Sequence, residues 1–122
     1  MLATIDAFLA DPMNASSKPI LGFTTRSPDV LVVVRQELLP VAALQVDGLH
    51  AAFAAGNVRA QLLSGKKEDR PVEGVRAMVA VYRKLQVSSP GLRIAELEDF
   101  AAREAAGTLE SKVRSLVSGH HP

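Results

Sequence analysis

A chain of 122 residues with a formal net charge of +1, 48% hydrophobic residues and no cysteine has the size of one domain with a core of its own. The charge balance excludes a global electrostatic grip on nucleic acid or acidic lipid. The lack of cysteine excludes disulfides, thiolate metal sites and thiol nucleophiles.

Leu2, Ile5, Phe8 and Leu9 recur at helical spacing and Asp11-Pro12 ends the run, which predicts a short amphipathic helix. Residues 12–19 are rich in Pro, Ser and Asn and read as a connector. Ile20–Thr25 reads as extended chain or a short strand. Ser27-Pro28-Asp29 is a helix-start signal, with Ser able to cap, Pro suited to the first position and Asp suited to the positive dipole end. The favoured reading is therefore a helix over Val30–Leu39. The four valines pull towards β structure, and the alternative is a hairpin at about 20–34 around Arg26–Asp29.

Pro40 cannot sit inside a helix without breaking it. It is expected to start a new Ala-rich helix running to Ala55 and closed by Gly56-Asn57. Asn57 then caps a short helix through Val58, Leu62 and Leu63, ended by Gly65. Lys66–Arg70 is a charged loop. Pro71 begins the clearest amphipathic helix, with Val72, Val75, Met78, Val79, Tyr82 and Leu85 on one stripe. Ser88-Ser89-Pro90-Gly91 breaks it. Ile94, Leu97, Phe100 and Ala101 mark the next helix, ended by Gly107. Thr108 caps a last one, with Leu109, Val113, Leu116 and Val117 on one face. The fold class expected is mainly α: a compact single domain, 1–122, of five or six short helices, with 118–122 a flexible tail.

Little here carries chemistry. His50 has Phe53 and Ala54 where a second metal ligand would stand on its helix, and His120 and His121 lie in the tail. Ser64-Gly65-Lys66-Lys67 lacks the earlier glycine and the hydroxyl that a phosphate loop needs. Glu96, Glu98 and Asp99 have a sufficient explanation in the dipole of the helix they open. The sequence points to no cofactor and no metal, and away from an enzyme.

The surplus of apolar residues over Val30–Leu39 and Pro40–Ala55 points to a partner surface, expected around Leu44, Leu49 and Phe53. The function expected is a non-enzymatic protein–protein interaction subunit: a small adaptor, assembly chaperone or structural component, oligomerising or binding another protein. The Ala- and Arg-rich composition suggests a bacterial or phage origin. No run is long enough to span a membrane, and the expected location is cytoplasmic. As an alternative, the segment 94–118 resembles the layout of a helix-turn-helix. That implies a DNA-binding regulator in which Lys112 and Arg114 contact the nucleic acid.

Overall fold

The computed structural model describes residues 2–12, 20, 22–23, 30–33, 35–46 and 48–118. Among the described residues six helices with defined bounds pack together: α1 (Leu2–Ala10), α2 (Val41–Leu44), α3 (Leu49–Ser64), α4 (Pro71–Ser88), α5 (Ala95–Ala106) and α6 (Leu109–Ser118). The fold is a compact helical bundle, with no strand among the described residues. Ile20, Gly22 and Phe23 are helical rather than extended. The Ser27-Pro28-Asp29 signal and residues 119–122 lie outside the described residues.

Helix α3 is the axis of the bundle. Every residue from Ala51 to Val58 is buried, because α1, α2 and α4 all pack on it. A helix covered on several sides needs small residues where neighbours approach, and its alanines supply them. The closest approach is the α3–α4 crossing. A Cβ added at Gly56 would stand 2.4 Å from the Glu73 carbonyl oxygen and 2.5 Å from Ala77 Cβ. One added at Gly74 would stand 2.9 Å from Phe53 Cε2. Contrary to the expectation from sequence, Gly56 and Asn57 do not close a helix; α3 runs through them to Ser64. Gly56 is there for backbone proximity, and the Asn57 side chain turns inward.

The expected helix from Pro40 is also corrected. It stops at Leu44, because Gly48 adopts φ 94° and forces a new start at Leu49. The expected Val30–Leu39 helix does not form. Val30–Val33 and Arg35 are irregular, and only one turn follows, in which the N–H groups of Leu38 and Leu39 donate to the Arg35 carbonyl at 3.0 and 2.8 Å.

Helix α4 begins at Pro71 with Glu73 in its first turn, and its apolar stripe faces the core. Helices α5 and α6 pack on each other and both pack on α4. Gly107 makes the turn at φ 78°, and the Thr108 N–H closes it by donating to the Arg103 carbonyl at 2.8 Å. Tyr82 joins α4 to α5: the Ile94 N–H donates to its hydroxyl at 3.0 Å, and the hydroxyl donates to Glu98. Lys84 of α4 caps α1, its ammonium donating to the Leu9 and Ala10 carbonyls at 2.6 and 3.1 Å.

Candidate functional site

The three residues expected at a partner surface are not brought together. Leu49 and Phe53 are fully buried by the chain's own helices, while Leu44 is 47% exposed. The apolar surplus of this segment is used in covering α3, and the Phe53 ring lies over Gly74.

The outward side of the same crossing carries an apolar groove of about 410 Å³. Gly56 and Ala60 of α3 and Ala77 and Ala80 of α4 line it, with Leu9 and Leu63. Small side chains on both helices leave this depression open. Leu63, a large aliphatic, is 59% exposed. Arg59, Glu73 and Arg76 also line the groove. Arg59 pairs with Asp6 at 2.8 Å and Arg76 with Glu104 at 3.0 Å, so the flanking charges are largely engaged. The sequence signal for this site was Gly56, Ala60 and Leu63 at helical spacing, which the reading of a helix end at Gly56 concealed.

A second constellation, also unforeseen, is polar. Asp69, in the loop before α4, accepts from the Val33 N–H at 3.2 Å, from Asn57 Nδ2 at 2.7 Å and from Arg35 at 2.8 Å. Asn57 Oδ1 accepts from Gln61 Nε2 at 2.6 Å and from the Arg70 N–H at 2.8 Å. Gln61 in turn accepts the Leu31 N–H at 2.9 Å and donates to the Leu31 carbonyl at 2.7 Å. These bonds explain why residues 30–33 are not helical: their backbone groups are satisfied by side chains of α3 and the 66–70 loop.

Beside it a cleft of about 500 Å³ is lined by Arg35, Arg70 and Arg114 together with Glu68, Asp69, Glu73 and Glu110. The mixture of signs gives no preference for an anion. The residues of the helix-turn-helix-like segment do form a tight helical pair. Lys112 is half-buried and shares a cleft with Glu37, Glu96 and Asp99. Arg114 is exposed and lies 3.7 Å from Glu110.

The acids of α5 diverge. Glu98 faces Tyr82 and Gln86, while Asp99 pairs with Arg103 at 2.9 Å. Hydrogen bonds from Tyr82 and then Gln86, with the charges of Arg93 and Arg83, hold the Glu98 carboxyl below the usual range against its partial desolvation. Burial raises the Tyr82 phenol, assisted by its bond to Glu98. His50 is half-buried, and desolvation lowers its pKa. Among the described residues no three His, Asp or Glu side chains converge as metal ligands. Ser64 makes a local turn, its hydroxyl donating to the Gln61 carbonyl at 3.1 Å and accepting the Lys66 N–H at 3.3 Å. No helix is long and apolar enough to cross a membrane among the described residues.

Comparison with protein families, curated proteins and solved structures finds no match to this chain.

Proposed function

We propose that this protein is a non-enzymatic interaction subunit that self-associates through the α3–α4 groove, as a small adaptor, assembly chaperone or structural component in the cytoplasm of a bacterium or in a phage assembly. The observation that carries the reading is the groove itself: a small-residue depression with a 59%-exposed leucine. Helix-in-groove recognition uses this shape, with an aliphatic anchor entering a depression between helices. A second copy is a fitting occupant, because each copy offers both the anchor, Leu63, and the depression. Flanking charges of both signs let identical faces meet around a two-fold axis without net repulsion. The DNA-binding alternative is less well supported, since phosphate near Lys112 would meet Glu37, Glu96 and Asp99.

Light scattering over a concentration series tests the proposal. The mass should rise above the 13.0 kDa of one chain. Ala80→Trp, which fills the groove from an exposed position, should return it to one chain with the fold unchanged. A wild type that stays at one chain mass at every concentration would end this reading.

A further inference from the structure

Residues 30–33 and Arg35 lie on the bundle as a bound peptide lies on its receptor. The Gln61 carboxamide takes both backbone groups of Leu31, accepting its N–H at 2.9 Å and donating to its carbonyl at 2.7 Å. A neighbouring strand would satisfy a residue in the same two-way manner. Two residues on, Asp69 accepts the Val33 N–H, and its other oxygen pairs with Arg35 at 2.8 Å. Val30 is the apolar anchor, 5% exposed, while Leu31 is 46% exposed. The receiving side chains are fixed by one another: Asn57 bonds both Gln61 and Asp69. None of these contacts depends on the segment's being joined to the same chain.

We infer that Gln61, Asn57 and Asp69 form a receptor for an extended peptide, filled here by the chain's own residues 30–33 and Arg35, and that the same segment of a second copy enters it in trans. The segment recognised is one with a buried aliphatic residue, two backbone positions read by hydrogen bonds, and an arginine five residues after the anchor. Tethering gives the chain's own segment a high effective concentration, so the incoming segment gains access when the resident one is weakened. The receptor shares no residue with the α3–α4 groove, and either can fail without the other.

The test uses two full-length variants in the Ala80→Trp background, which removes association through the groove. One, Leu31→Pro with Arg35→Ala, loses the Gln61-bonded N–H and the ion pair from its own segment and keeps the receptor. The other, Asp69→Asn, keeps the segment and weakens the receptor. A fluorescent peptide of residues 29–37 should bind the first variant at least about tenfold more tightly than its Ala80→Trp parent, because a larger fraction of receptors is vacant. Adding Asp69→Asn to that variant should remove the gain. Mixing the two variants should give a 1:1 heterodimer by light scattering, with each alone a single chain. Peptide affinity no better than the parent's, a gain that survives Asp69→Asn, or a mixture that stays unassociated would each overturn the inference. Should the double substitution fail to fold by circular dichroism, Arg35→Ala alone serves as the vacant receptor under the same outcomes.

Discussion

Gly56→Ala is the sharpest test of the architecture, because two physical rules give opposite signs for it. In an open helix interior, alanine in place of glycine stabilises by up to about 1 kcal/mol through helix propensity. At residue 56 the added Cβ would stand 2.4 Å from a backbone oxygen of α4 and 2.5 Å from Ala77 Cβ. Ordinary carbon contacts lie at about 3.5–4.0 Å, so α3 and α4 must separate by roughly 1 Å. The obstacle at Glu73 is backbone and cannot rotate away. Overpacking of this kind costs about 1–3 kcal/mol, occasionally more, and the rigid obstacle places this case at the upper end. Setting the propensity gain against it leaves a net loss of about 2 kcal/mol, or a Tm lower by about 8 °C for a domain of this length. Urea unfolding followed by circular dichroism measures the loss, with the slope of the transition unchanged. Gly91→Ala is the control, since nothing lies within 4 Å of its added Cβ, and it should stay within about 0.5 kcal/mol of wild type. A Gly56→Ala protein as stable as wild type, or more so, would refute the close crossing and with it the placement of α3 as the bundle's axis.

Asp69→Asn in the wild-type background should destabilise by about 1–3 kcal/mol, since the charge partner of a largely buried Arg35 is lost; urea unfolding checks it, and hydrogen exchange at Leu31 and Val33 should accelerate more than at the α4 core. Tyr82→Phe removes the hydroxyl that serves Ile94 and Glu98 and should cost about 1–2 kcal/mol in the same assay. Stability should fall with acid in two steps. His50 and Glu98 both have folded pKa values below their ordinary ones. The unfolded chain therefore binds their protons first, and stability present above each ordinary value is lost as pH falls through the folded one. The first step should begin below the ordinary histidine value of 6.5 and vanish in His50→Gln; the second, below the ordinary glutamate value of 4.5, should shrink in Tyr82→Phe. Thermal melts across pH read both. Lys84→Met should loosen the α1 C-terminus by about 0.3–1 kcal/mol, seen as faster exchange at the end of α1.

The parts of the fold written in local punctuation were legible in the sequence. Pro71 starts α4, Gly107 turns the chain between α5 and α6, and the 3.6-residue stripe from Val72 to Leu85 faces the core as its spacing demands. The misreadings share a cause, which is that distant residues decide them. Whether the valine run coils or extends is settled by Gln61, 30 residues away, and Asp69, 36 residues from Val33. A glycine followed by asparagine is the same local signal at a helix end and at a helix crossing, and only the position of Glu73 distinguishes them. Leu49 and Phe53 looked surplus because the sequence cannot show how many neighbours surround α3. The groove was hidden for the same reason: its floor is the outer side of a contact between elements whose partnership is tertiary.

The charged surface bears on which interaction reading survives. Arg59 ties α3 to α1 through Asp6, and Arg76 ties α4 to α5 through Glu104. Exposed pairs of this kind contribute only about 0–1 kcal/mol each, so they orient elements more than they stabilise them. They also leave the groove flanked by charges with partners of their own, and its contact capacity is apolar. Association through such a face is driven by burial and should change little between low salt and about 0.3 M salt, a range over which the Debye length shortens several-fold. Binding through Lys112 and Arg114 to DNA would instead weaken steeply over the same range, by a power of the salt concentration close to the number of phosphates neutralised. A light-scattering series at constant protein and rising salt therefore separates the two. A self-association mass that holds supports the groove, and one that collapses with salt refutes it.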